Sequence, residues 1–195
     1  MNLEVSKGGP DIDHDRTFSH LDIAQRFDLL DFGSASKLSG SKFVFLKNEA
    51  AMLELALCNW AMNFVAKKGY TAVSTPDIAR QSVVEACGFQ PRDASSQVYH
   101  LRTHGHAGNV TQDEECLIGT AEIPLAGMYA NEVLRREGLP AKMVAYSHCF
   151  RKEAGKGEHS KGLYRLHQFS KVEMFALTHN DQQSSNAALE EMVAI

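Results

Sequence analysis

Residues 165–173, RLHQFSKVE, alternate strictly: Arg165, His167, Phe169, Lys171 and Glu173 take every second position. Successive side chains of an extended strand point to opposite faces, so this period gathers nearly all the charge, and one aromatic ring, on one side. The stretch lies within LYRLHQFSKVEMFAL, residues 163–177, and KMVAYSHCFRKE, residues 142–153, precedes it across a Gly-flanked GKGEHSKG. Both runs are rich in apolar residues, which predicts an antiparallel hairpin with a long tip. On the first strand Arg151 and Glu153 share a face for the same reason of period. When the two faces coincide, two arginines, two carboxylates and a phenyl ring stand on one floor.

Such a floor has two readings. Charged residues on a solvated sheet face pair across strands for a few tenths of a kcal/mol each and need no ligand. A central sheet, whose other face packs on helices, instead requires something polar above its charged face. The apolar runs CLIG, MVAY and MFAL favour the central position. The matching ligand has a flat ring, a polyanionic stretch and a small polar tail. Phe169 would stack on the ring, Arg151 and Arg165 would neutralise phosphates, and Glu153 and Glu173 would accept from amino groups. From Phe169 to Glu173 is about 13 Å of extended strand, close to the span from an adenine to the far end of an aminoacyl adenylate. The sequence has neither G-x-x-x-x-G-K-[ST] nor G-x-G-x-x-G, so phosphate would be held by arginines rather than a glycine-rich loop.

The rest of the chain is an ordinary globular sequence: 195 residues, 44% hydrophobic, with a formal charge of -4. That length suits one sizeable domain, and the charge excludes bulk attraction to nucleic acid. Cys58, Cys87, Cys116 and Cys149 form no C-x-x-C pair, as expected of free thiols in a reducing compartment. No apolar run reaches the roughly 20 residues of a membrane span, and no signal peptide opens the chain, so a soluble intracellular protein is expected, cytoplasmic or mitochondrial.

Residues 1–16 read as a polar tail or linker, and 17–195 as one domain. Phe18 to Leu38 predicts a short helix and a turn around Gly33, and Phe43–Leu46 a short buried strand. NEAAMLELALCNWAMNFVAKKGY predicts a long helix capped by Asn48 and ended by Gly69. Its two apolar stripes, Met52, Leu55, Met62, Val65 and Leu53, Leu57, Trp60, Phe64, are too wide for one wet face, so burial on two sides is expected, by its own core and a partner subunit. YTAVSTPDI is a strand with a proline suited to its end, ARQSVVEACGF a short helix, QVYHL a possible strand. CLIGTAEIPLAGMYANEVL is a strand or turn feeding a helix that Thr120 can cap, and the final DQQSSNAALEEMVAI starts a helix. His100, His104 and His106 lack a nearby carboxylate or cysteine partner, and no metal is expected there.

FRKEAGKGEHSKGLYRLHQFSKVEMF resembles motif 2 of the seryl-tRNA synthetases, GTAEIPLAG their T-x-E serine-binding element, and KKGYTAVSTPDI their motif 1. The resemblance runs from about residue 14 to 180 and is specific to this branch of the class II aminoacyl-tRNA synthetases, of bacterial and organellar type. It implies an α+β fold, an antiparallel sheet flanked by helices and incomplete at the C-terminus. It implies serine activation with ATP and Mg²⁺, transfer to tRNA(Ser), and a homodimer. By position it implies that Arg151 contacts the α-phosphate and serine carboxylate, Glu153 the adenine amino group, and Arg165 the γ-phosphate side of ATP. Phe169 would stack on adenine, and Thr120, Glu122 and Glu173 would bind serine. Lys156 and Lys161 would approach the tRNA acceptor end, and His167, Gln168 and Lys171 would support. The metal ligands, motif 3 and the tRNA-gripping N-terminal arm are expected to lie outside this chain, leaving little activity to this stretch alone. The alternative is a non-catalytic relative that uses the dimer surface or adenylate pocket as a binding module. A hydrolase built on Glu153 and Glu173 explains neither the arginines nor the ring.

Overall fold

The computed structural model describes residues 18–89, 97–101, 114–153 and 161–195. The tail 1–16, His104, His106 and Lys156 therefore lie outside the described residues. The fold centres on two ten-residue strands, β7 (Ala141–Phe150) and β8 (Gln168–Leu177), paired antiparallel from Ala141↔Leu177 to Phe150↔Gln168. A shorter strand, β3 (Thr71–Ser74), completes this sheet by pairing parallel to β7, so the expected antiparallel sheet carries one parallel pair at its edge. Pro76 follows the end of β3, where its missing N–H breaks no ladder bond.

Strand period divides the surroundings. Even-numbered Val144, Val172 and Met174 pack under the long helix α3 (Asn48–Ala66) and the last helix α6 (Gln182–Ala194), with Met62, Val65, Met192 and Ile195 closing that core. Odd-numbered Met143, Ala145 and Phe175 face the other way, against Ala121 and Leu125 of the short helix α5 (Glu122–Gly127) and its lead-in. α5 covers only one end of the odd face. The other end, with Ser147, Cys149, Phe169 and Lys171, is left for the site.

A second sheet, ordered β4 (Ile78–Arg80), β6 (Glu115–Leu117), β5 (Tyr99–Leu101), packs on α4 (Gln81–Ala86) around Val84, Cys116, Ile118 and Ile123. Ile118 joins the two sheets, its N–H donating to Asp77 O at 2.9 Å and its carbonyl accepting from Phe150 N at 2.8 Å. That fixes Gly119 and Thr120 beside the end of β7.

The N-terminal region departs from expectation. It holds two helices, α1 (His20–Arg26) and α2 (Phe32–Ser39), with a two-residue strand β1 (Leu30–Asp31) between them. Gly33 lies inside α2 rather than at a turn, because Asp31 caps the helix by accepting from Ser34 N at 2.8 Å. The Phe43–Leu46 strand shrinks to β2 (Phe45–Leu46), a half-buried pair with β1 in which Phe45 is 43% exposed. Asn48 does not cap α3. Lys47 occupies the N-cap, while Asn48 has φ 49 and its amide donates to Asp28 O at 3.0 Å. β4 has no signature in the sequence: three residues held by pairing with β6 carry too little pattern to be read alone.

Of the two stripes on α3, the chain's own core buries Val65 and part of Met62 and Phe64; Met52, Leu53, Leu55, Leu57 and Trp60 are each more than half exposed. No helix among the described residues is long and apolar enough to cross a membrane.

Carboxylates support the N-termini of three helices: Asp31 and Asp181 are the N-caps of α2 and α6, and Asp22 completes the capping box that Ser19 opens on α1. Asp22, Asp31 and Asp181 accept hydrogen bonds from Ser19, Ser34 and Ser184, and those bonds hold all three below the ordinary aspartate range. A carboxylate with a depressed folded pKa stabilises fully above its unfolded value, about 3.9, and loses that contribution as pH falls through the folded value. Helical circular dichroism should therefore decline below about pH 4. Changing all three to asparagine, which can still accept these hydrogen bonds without titrating, should flatten that part of the curve.

Candidate active site

The hairpin register sets opposite each other the residues that the site needs. Phe169 faces Cys149, Lys171 faces Ser147 and Glu173 faces Ala145, so small side chains on β7 leave room above three larger ones on β8. β8 begins at Gln168, later than the sequence pattern suggests. Arg165 and His167 thus precede the strand: a 3-10 turn over Gly162–Tyr164 ends at Arg165, and strand alternation carries only Phe169, Lys171 and Glu173. Arg165 reaches the same region by a different route, its guanidinium meeting Glu153 Oε2 at 3.2 Å.

Arg151 lies over Phe169, its guanidinium carbon 5.4 Å from the ring centroid, and its Nε donates to Gly119 O at 3.0 Å. The remaining guanidinium N–H groups are the donors that an anion beside Phe169 would meet. The backbone of Arg151 is locked by His167: Arg151 N donates to His167 O at 3.0 Å, and Arg151 O lies 2.8 Å from His167 Nδ1. Since a carbonyl only accepts, Nδ1 carries the proton.

At the other end of the strip the contacts are charged and closely spaced. Thr120, 2% exposed, donates to Glu173 Oε2 at 2.5 Å. Lys171 Nζ lies 2.7 Å from Thr120 Oγ1 and 3.0 Å from Glu173 Oε1. Glu122 contributes its backbone N–H, 3.2 Å from Glu173 Oε2 and 3.4 Å from Thr120 Oγ1, while its side chain is exposed. Thr120 is thus tied mainly to Glu173 and Lys171; the residue before α5 is Ala121, and the capping bond expected of Thr120 survives only as that long contact. Lys161, at the start of the 3-10 turn, lies on the exposed rim.

Two features of the site have no sequence signal. Lys42, more than a hundred residues upstream, donates from Nζ to Glu153 O at 2.9 Å, and its carbonyl accepts from His167 N at 2.9 Å. His20 accepts from Leu163 N at 3.2 Å and packs edge-on to Tyr164. Gly162 beneath it has φ 59, and a Cβ there would run into the His20 ring. The N-terminal region braces the base of the hairpin loop, a role visible only once the chain has folded back on itself.

Within the floor, opposite Phe169, Cys149 is fully buried. Burial pushes its thiol up, against the opposing pull of its Ser147 contact and of the Lys171 and Arg151 charges, so it remains a neutral packing group. Among the described residues no three His, Cys, Asp or Glu side chains converge as metal ligands, and Glu153 and Glu173 already face cations. These residues do not fit a protein-held magnesium ion. A concavity of about 610 Å³ lies mainly on the opposite face of the hairpin, between α2, β2 and α3, lined by Phe43, Leu55, His148, Leu166 and Ser170. Of the strip only Phe169 reaches its wall; Arg151, Lys171, Glu173 and Thr120 stand outside it.

The tRNA synthetase class II core domain (G, H, P, S and T) matches residues 106–194. The chain is 45% identical to a serine–tRNA ligase of Borreliella afzelii over 186 residues, covering 94% of this chain and 41% of that protein. The match to a Rhodopirellula baltica serine–tRNA ligase is 46% over 193 residues, 97% and 42% of the two lengths. Over nearly its whole length the chain is similar to seryl-tRNA synthetases. Seryl-tRNA synthetase from Pyrococcus horikoshii, solved in complex with ATP, superposes with a TM-score of 0.74 at 37% identity, over 90% of this chain and 37% of that one. A cytoplasmic serine–tRNA ligase from Naegleria fowleri, in complex with AMP, gives 0.79 at 29% identity, over 91% and 39%. The chain spans about two fifths of the length of the curated relatives it matches.

Thr120 sits where Lys171 and Glu173 both need a partner, which makes its hydroxyl structural as well as chemical. Replacing it with the near-isosteric valine should destabilise the chain by about 1–3 kcal/mol, read as a lower urea midpoint.

Proposed function

We propose that residues 17–195 form part of the catalytic domain of a serine–tRNA ligase, which joins serine to ATP as seryl-adenylate and passes the seryl group to tRNA(Ser). The observation that carries this reading is the layout of the odd face of β8: Phe169 under Arg151 at one end, and Glu173 with Thr120 and Lys171 at the other. About 13 Å of strand separates the two ends, the length of an aminoacyl adenylate.

In this reading adenine stacks on Phe169, and Glu153 accepts from its amino group. Arg151 neutralises the α-phosphate and Arg165 the distal phosphates of the bound ATP. Serine's own carboxylate oxygen forms the bond to the α-phosphorus, and pyrophosphate leaves with the electron pair of the broken P–O bond. A terminal hydroxyl of the tRNA then attacks the seryl carbonyl and AMP departs. No side chain acts as nucleophile; the chain's residues position the reactants and stabilise developing charge. Lys156 and Lys161 are proposed to meet acceptor-end phosphates, and ATP would come with magnesium that these residues do not hold.

The exposed apolar stretch of α3 supports a homodimer, since the chain's own core leaves Met52, Leu53, Leu57 and Trp60 bare. Light scattering should give twice the 21.5 kDa chain mass, and Leu57→Glu should return it to a single chain. A single-chain mass for the unaltered protein would remove the dimer from the proposal. For the site itself, a non-hydrolysable seryl-adenylate, seryl sulfamoyl adenosine, should raise the melting temperature. Phe169→Ala should weaken its binding by about 10-fold or more through lost stacking, and Arg151→Ala by a similar factor. Equal binding by both variants would refute the proposed placement.

A further inference from the structure

Lys171 is the central member of the strip. Strand period sets it between Phe169 and Glu173 on one face, and its ammonium lies within reach of both partners of the Thr120–Glu173 hydrogen bond. An ammonium has three N–H donors and no acceptor. At 2.7 Å from Lys171 Nζ, Thr120 Oγ1 must therefore accept from it, and the single hydroxyl proton is left to point elsewhere. Glu173 Oε2, 2.5 Å away, receives that proton, and the Glu122 N–H adds a second donor to the same oxygen. The donors of Thr120 and of the Glu122 backbone are thus spent within the cluster. What Thr120 and Glu173 can still offer an incoming group is acceptor capacity.

We infer that Lys171 is a positioning residue for substrate selection: by fixing the direction of the Thr120–Glu173 hydrogen bond, it makes the amino-acid pocket a reader of donor groups, serine's hydroxyl and ammonium protons. This rests on the serine-activating reading of the site. With Lys171 removed, the Thr120 hydroxyl is free to turn its proton outward, and Glu173 loses the cation that holds its second oxygen. The pocket then no longer distinguishes a ligand that brings a hydroxyl proton from one that does not.

The test compares the affinities of seryl and alanyl sulfamoyl adenosine, which differ only in that hydroxyl. The unaltered chain should prefer the seryl compound by about 30-fold or more, because the alanyl compound leaves a charged acceptor unpaired. Lys171→Met should reduce the preference to less than about 5-fold by weakening the seryl compound, with the alanyl compound changed by less than about 3-fold. A merely structural role would weaken both compounds together, and that result, or an undiminished preference, overturns the assignment. Lys171→Arg keeps the donors and reads the same proposal should the methionine variant fail to fold: it retains most of the preference, and its loss in that variant also counts against the proposal. An unaltered chain that does not distinguish the two compounds refutes the serine reading itself, and the role of Lys171 with it.

Discussion

The ten-pair antiparallel ladder between β7 and β8 is the constraint from which the site follows. A shift of one residue would send Phe169, Lys171 and Glu173 to the face that α3 and α6 cover, and bring Val172 and Met174 up in their place. The register is held from both sides: Val144, Val172 and Met174 are wanted by the helical layer, while Met143, Ala145 and Phe175 are wanted by α5. Hydrophobic burial of one end of the odd face thus fixes the position of charges at the other end. The loop base is then pinned by Lys42 and His20, so Arg165 and Glu153, which lie outside the ladder, still meet.

The charged groups need this support. Glu173, Lys171 and Thr120 lie close together in a half-buried pocket, and each would be costly to leave unpartnered. Together they satisfy one another, which keeps the pocket formed before a ligand arrives. Arg151 resting on Phe169 does the same at the nucleotide end, where a cation over a ring holds both in place. A site arranged in advance loses little side-chain freedom on binding.

Much of this was legible in the sequence because period-2 patterns over ten residues are long enough to read. The hairpin, the common face of Phe169, Lys171 and Glu173, and the length of α3 all follow from periodicity and end signals. Where the reading failed, a tertiary contact had displaced a local preference. Asn48 gives its amide to Asp28 instead of capping α3, Thr120 turns to Glu173 instead of capping α5, and Arg165 leaves the strand because the 3-10 turn at Gly162 delays its start. The parallel pairing of β3 and the existence of β4 depend on partners far along the chain, and four or three residues carry no mark of them. The brace from Lys42 and His20 is of the same kind, a contact between segments whose sequences are unremarkable alone.

The central claim is that the odd face of β8 holds an adenylate with its ring at Phe169 and its amino-acid end at Glu173. A crystal structure of the chain with seryl sulfamoyl adenosine tests it most directly. The account predicts the adenine ring stacked on Phe169, the phosphate (here sulfamoyl) group at Arg151, and the seryl group within hydrogen-bond distance of Glu173 and Thr120. A ligand seated in the cleft lined by Phe43, Leu166 and Ser170, or lying along the strip in the opposite sense, would contradict it.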